Sequence, residues 1–220
     1  FGNSITTAEH AIAMMFALAR EIPQANESTH AGKWEKKRFM GVELYGKTLG
    51  VIGCGNIGSI VADRALGLKM HVIAYDPFLT QERAVQIGVE KVELDALFAR
   101  ADFITIHVPK NPKTANIINR DSIKTMKDGV QIINCARGGL IVEADLKEAL
   151  DSGKVAGAAL DVFDIEPLPS GHPLRALDNV LATPHLGYVS EESYKAYFSD
   201  VVADINAWLD GKPERVLALS

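Results

Sequence analysis

The chain has 220 residues, enough for one well-filled α/β core with short additions but tight for two full domains. With 47% hydrophobic and 23% charged residues, it has the composition of an ordinary globular protein rather than a disordered or fibrous one. The formal net charge of -5 comes from acids and bases scattered along the chain, so no basic stripe presents itself to a nucleic acid.

No apolar run reaches spanning length, and the first 30 residues lack the order of a signal peptide, so no membrane partner and a cytoplasmic location are expected. Cys54 and Cys135 each lie in an apolar, glycine-flanked stretch, as small buried side chains do in a reducing compartment, and no disulfide is expected. The sequence starts at Phe1 without a methionine, which reads as a piece of something longer.

Thr6-Thr7-Ala8-Glu9 has the form of a capping box, and Ile5, Ala8, Ile12, Met15, Phe16 and Ala19 follow at helical spacing, predicting a long opening helix. From about Gln24 to Gly46 the pattern turns polar and predicts an irregular loop, with Trp34, Phe39 and Met40 exposed as a partner surface. The period then changes. Buried strands are predicted at 48–52, 71–75, 103–107, 130–134 and 155–160, with a weaker sixth at 180–183, and helices near 57–68, 79–88, 93–99, 119–126 and 143–151. Short apolar strands alternating with helices imply a doubly wound parallel sheet in a three-layer α/β/α arrangement. After it, Ser190 can cap a final helix with an apolar face from Tyr194 to Trp208, closed by Gly211 and Pro213.

Between the first strand and its helix lies Gly53-Cys54-Gly55-Asn56-Ile57-Gly58, and Asp76 stands 18 residues past Gly58 at the end of the next strand. That context gives the glycine pattern its weight as a Rossmann fingerprint. Gly53 permits the tight turn, Gly55 lets a pyrophosphate approach the backbone, and Gly58 lets helix and strand pack closely. Asp76 would accept from the adenosine ribose hydroxyls and repel a 2′-phosphate, which favours NAD over NADP. A flavin or S-adenosylmethionine site would use a similar turn, so the loop alone gives a fold and a ligand class.

Open parallel sheets bind ligands at the carboxyl ends of their strands. There the sequence places Arg137, whose planar fork suits a carboxylate, His185, a proton carrier held between Pro184 and Leu186-Gly187, and Glu166, which can orient an imidazole. The other histidines show no metal-ligand spacing, and no metal is expected.

Thr6-Thr7-Ala8-Glu9-His10, the loop at 53–58, Asp76-Pro77, His107-Val108-Pro109, Asn134 to Gly139, Ala159 to Phe163, Glu166-Pro167 and Pro184 to Gly187 occur in one order that resembles the D-2-hydroxyacid dehydrogenases. The resemblance implies that Asn56 and Ile57 contact the cofactor pyrophosphate, Asp76 the ribose, Val108 the adenine side, and Cys135 and Ala136 the nicotinamide half, with Arg137, His185 and Gly187 also at the cofactor. It implies that Asp161 holds the carboxamide, and that Arg137 binds the substrate carboxylate and carbonyl. His185 would take the hydroxyl proton and Glu166 would hydrogen-bond His185. The implied reaction moves a hydride between NAD and a small 2-hydroxy acid, 3-phosphoglycerate first among them. Glyoxylate, hydroxypyruvate and lactate chemistry, or an NAD-sensing corepressor-like module, are the alternatives. The resemblance divides the chain into dimerisation elements at 1–46, the NAD-binding domain at 47–187, and a helix and tail at 188–220 that would return to a substrate domain. A homodimer is expected.

Overall fold

A computed structural model describes residues 3–216; the outer ends of both flanking segments, Phe1 included, lie outside the described residues. Helix α1 spans Ser4–Ala19 and α2 Ile22–His30. An alternation of strands and helices follows: β1 Thr48–Ile52, α3 Asn56–Gly67, β2 His71–Tyr75, α4 Gln81–Gln86, β3 Glu90–Lys91, α5 Leu94–Arg100 and β4 Phe103–Ile106. The second half runs through α6 Arg120–Thr125, β5 Val130–Asn134, α7 Glu143–Asp151, β6 Val155–Leu160, a 3-10 turn at Pro173–Ala176, β7 Val180–Ala182 and α8 Glu191–Leu209.

The strands form one parallel sheet in the order β3-β2-β1-β4-β5-β6-β7. Side-chain alternation along them builds two cores. Ile52, Ile73, Ile104, Ile106 and Ile132 point to the face covered by α5, α6 and α7. Leu49, Val51, Val72, Phe103 and Ile133 point to the face covered by α1 and α3. Both faces are apolar because both are covered. The chain leaves β1 toward β2 on one side and later crosses back to place β4 on the other. This reversal opens a crevice at the carboxyl ends of β1 and β4, where the glycine turn and His107-Val108 meet.

Three expectations need correction. The opening helix starts at Ser4 after Asn3, so Thr6 is inside it; its hydroxyl lies 3.1 Å from the Ser190 hydroxyl, and Glu9 pairs with Arg64 instead of closing a capping box. Residues 24–30, expected as loop, belong to α2, which starts on Glu21 in a left-handed turn with a proline in its first turn. Phe39 is only half exposed, with the Arg38 guanidinium 5.3 Å above its ring, whereas Trp34 is 85% exposed and Met40 is exposed with it. The structure also adds a strand, β3, and ends β4 one residue before His107.

Ser190 accepts from the Ser193 amide as the cap of α8. Much of that helix is bare: Tyr197, Phe198, Ile205 and Trp208 are all exposed. No helix among the described residues is long and apolar enough to cross a membrane.

Candidate dinucleotide and hydroxyacid site

Gly53 takes φ +91°, and its amide donates to the Tyr75 carbonyl at 2.8 Å, tying the turn to β2. A Cβ there would lie 2.6 Å from Val108 Cγ1 and 2.7 Å from the His107 carbonyl oxygen, so the position admits only glycine. At Gly58 a Cβ would collide with the Gly53 carbonyl, because α3 begins in contact with the turn. Gly55 faces open space, and the α3 N-terminus has no side-chain cap. Its first amides, on Asn56, Ile57 and Gly58, are therefore left for an anion.

Asp76 closes this end. One carboxylate oxygen accepts from the Cys54 amide at 2.8 Å and the other from the Phe78 amide at 2.8 Å. Each oxygen keeps a free lone pair, the requirement for receiving two ribose hydroxyls. An open anion cradle ending in a fixed carboxylate fits NAD, and a 2′-phosphate would meet that carboxylate as a like charge.

From the turn, a cavity of about 860 Å³ runs toward β6. Ile57, Val108, Cys135, Ala136, Arg137, Asp161, His185 and Gly187 all line it, and Gly53, Gly55, Asn56, Gly58 and Asp76 form the turn beyond its Ile57 end. Asn134 shapes the wall after β5. Its side chain accepts from the Ala136 amide and donates to the Arg137 carbonyl, both at 3.0 Å, which turns the chain back and presents Arg137 outward. The Arg137 guanidinium donates to the Ala136 carbonyl at 2.6 Å and is otherwise exposed. Burial pushes the Cys54 thiol up to about 11 and the Cys135 thiol higher still, so both free thiols are inert walls rather than nucleophiles.

His185 Nδ1 lies 2.7 Å from a Glu166 carboxylate oxygen. Burial alone would raise the Glu166 carboxyl, but hydrogen bonds from His185 and the Phe163 amide outweigh it and hold the group below the usual carboxylate range. The pair leaves Nε2 as the imidazole's working atom. His185 itself sits at φ +58°, a left-handed conformation uncommon for a residue with a Cβ.

Asp161 holds that conformation. Its side chain is 0% exposed, and its carboxylate accepts from the Leu186 amide at 2.7 Å, the Gly187 amide at 2.8 Å and the Thr183 hydroxyl at 2.6 Å. His10 Nε2 on α1 lies 3.3 Å from the same carboxylate, and the Asp161 carbonyl accepts from the His185 amide at 2.9 Å. Burial would raise the Asp161 carboxyl, yet the hydrogen bonds from His10, Thr183 and the two amides prevail and lower it. One buried acid thus fixes the backbone on both sides of His185.

Sequence reasoning missed several members of this site. His107 lines the cavity with Nε2 2.9 Å from the Thr105 hydroxyl and a buried Nδ1 that has no partner. Burial drives its pKa down to about 4, so it is neutral; its position beside Val108 at a strand end was the available signal. His10 belongs to one of the strings that carry the resemblance, but its contact with Asp161, 151 positions later, gave no signal in the sequence. Tyr188, edge-on to the His185 ring at 5.9 Å, extends the wall toward Tyr194 and Phe198. His172 pairs with Glu143 at 3.1 Å, outside the cavity. Among the described residues, no three His, Cys, Asp or Glu side chains are grouped as metal ligands.

The sequence profile of the D-isomer specific 2-hydroxyacid dehydrogenase, NAD binding domain, matches residues 12–187. A D-3-phosphoglycerate dehydrogenase of Synechocystis is 53% identical over 97% of this chain and 38% of its own length. One from Archaeoglobus fulgidus is 51% identical over 97% of this chain and 41% of its own. The chain thus spans well under half of these relatives. A D-lactate dehydrogenase from Aquifex aeolicus, solved with NAD and lactic acid, superposes with a TM-score of 0.84 at 31% identity over 94% of this chain and 67% of that one. A glycine turn with open helix amides, a fixed carboxylate at the end of β2 and a histidine-carboxylate pair on one parallel sheet agree with these matches: the chain belongs to the NAD-binding domain family of the D-isomer specific 2-hydroxyacid dehydrogenases.

Proposed function

We propose that this chain carries the cofactor-binding and proton-transfer half of an NAD-dependent D-2-hydroxyacid dehydrogenase, with 3-phosphoglycerate as substrate. The observation that carries the reading is the 2.7 Å contact between His185 and Glu166 at the wall of a cavity that begins at the glycine turn. NAD, when bound, supplies the hydride acceptor. The residues of this chain do the rest. Asn56, Ile57 and Gly58 offer amides to the pyrophosphate, Asp76 takes the ribose hydroxyls, and Val108, Cys135, Ala136 and Gly187 wall the cavity around the cofactor. Arg137 holds the substrate carboxylate with two parallel donors. His185 Nε2 takes the hydroxyl proton, and Glu166 stabilises the imidazolium that results. Asp161 holds the His185 loop and belongs to the same cavity wall, on its nicotinamide side.

The substrate choice is supported by the names of the relatives at 53% and 51% identity. Following NADH formation against a panel of 3-phosphoglycerate, D-glycerate, D-lactate and glycolate tests it. Highest kcat/KM on 3-phosphoglycerate supports the reading; highest kcat/KM on another acid moves it to that substrate, and NAD binding without turnover of any acid favours a sensing module.

Within this reading, residues 47–187 are the NAD-binding unit, 1–46 a dimerisation segment, and 188–220 the connection to a substrate domain, in a cytoplasmic homodimer. Exposed Trp34, Met40 and the apolar face of α8 support association. Sedimentation at rising concentration is expected to give a dimer, and a sharp monomer throughout would contradict it.

A further inference from the structure

The cavity holds two cations without a counter-ion. Arg137 is one. The other is Lys110, three residues past the end of the His107 contact with the turn and part of the same lining. Among the described residues its ammonium has neither a salt bridge nor a hydrogen bond. His185, by contrast, has Glu166 as its partner, and the Asp161 carboxylate is already filled by internal donors.

Lys110 is an exposed residue, but the end of its side chain is seated against Gly139. Its Nζ and Cε occupy the space where a Cβ of Gly139 would stand, and Gly139 is at φ +74°, where a side chain would be strained in any case. The missing side chain leaves a groove for the lysine methylenes. Gly139 follows Arg137 by two positions, so the Lys110 ammonium, which comes from the connection after β4, is packed against the loop that carries Arg137, within roughly 7 Å of backbone of it. Packing the lysine methylenes against the Arg137 loop reduces the entropy lost when an anion bridges the two cations.

We infer that Lys110 is a specificity-determining residue, placed to take the phosphate of a phosphorylated three-carbon 2-hydroxy acid whose carboxylate is held by Arg137. This rests on the hydroxyacid reading above. Arginine suits the planar carboxylate, and a lysine acts on the phosphate as a point charge. An unphosphorylated acid would engage Arg137 and His185 but leave the ammonium without a partner.

The test uses the 220-residue chain saturated with NADH. Titrations with 3-phosphoglycerate and D-glycerate are followed by calorimetry for the native sequence, Lys110→Met and Lys110→Arg. Lys110→Met is expected to weaken 3-phosphoglycerate about tenfold, the loss of one charge-assisted contact, and to leave D-glycerate and NADH binding little changed. Lys110→Arg should retain most of the phosphate preference. Equal weakening of both acids, or no change in either, would overturn the assignment while leaving the dehydrogenase reading intact. A loss confined to NADH would also overturn it, by placing the ammonium on the cofactor pyrophosphate. If the native chain binds NADH but neither acid, the assignment is overturned for this chain, while the hydroxyacid reading is decided separately by the kinetic panel above.

Discussion

Replacing His185 with alanine is expected to lower NAD-dependent oxidation of the 2-hydroxy acid by about 10²–10⁴-fold, the usual contribution of a positioned general base. The effect should fall on kcat. The cofactor cradle is built from the glycine turn, the α3 amides and Asp76, none of which touches His185, so NAD affinity should change far less. Steady-state kinetics beside a direct NAD titration separates the two. A comparable loss in NAD affinity, or unchanged turnover, would remove His185 from the chemistry. Glu166→Gln keeps the shape and removes the charge that stabilises the imidazolium, so it should lose turnover in the same direction but by less. The stability that this pair contributes has a defined sign with pH. Glu166 is depressed in the folded state, so the contribution is present above the ordinary glutamate range and is lost as pH falls through the depressed value.

Asp161→Ala should be the most damaging substitution for the fold around the site. It removes a fully buried carboxylate that accepts from two main-chain amides and a hydroxyl, and leaves those donors facing an apolar gap. Each orphaned buried donor costs roughly 1–3 kcal/mol, so a loss of roughly 3–5 kcal/mol in unfolding free energy is expected. Denaturant melts measure the total. Hydrogen exchange at the Leu186 and Gly187 amides locates it: both should lose protection, with the amides of β1 little affected. Asp161→Asn turns one accepting oxygen into a donor that faces a donor, and should show the same local pattern at smaller cost. Retained protection at both amides would mean that the loop around His185 is held by something else. Asp161 also carries a depressed carboxyl, so its support is strongest above the ordinary aspartate range and fades as pH falls through the depressed value.

The sheet was legible because its signals are local. Strands such as Val130–Asn134 are short apolar runs between turn residues, and the glycines at 53, 55 and 58 fall between such a run and a helical period. Elements with little apolar content were not legible. Helix α2 buries only Ser28, and β3 is two residues at a sheet edge, too short for any period to show. The start of α1 was misplaced because Thr6 to Glu9 satisfies a local pattern, while tertiary contacts to Ser190 and Arg64 take those side chains elsewhere.

The same division applies to the site. Arg137, Glu166, His185 and Asp76 stand at strand ends or just beyond, where their residue types alone draw attention, and the structure brings the first three to one end of the sheet. Asp161 could be marked as polar and strand-terminal, yet its hold on residues 183–187 depends on a loop closing over it, which no spacing reports. Lys110 and Gly139 lie 29 positions apart and meet only through the pairing of β4 with β5. Long-range contacts of that kind are set by topology, and sequence pattern stops short of them.

The most direct test of the central claim is a calorimetric titration of the chain with NAD and, separately, NADP. Saturable binding of NAD, weaker binding of NADP, and an Asp76→Ala variant that loses about tenfold in NAD affinity while narrowing that preference are the expected results. No heat of binding with NAD at millimolar concentration, or equal affinity for both dinucleotides in the native chain, would contradict the account at its base.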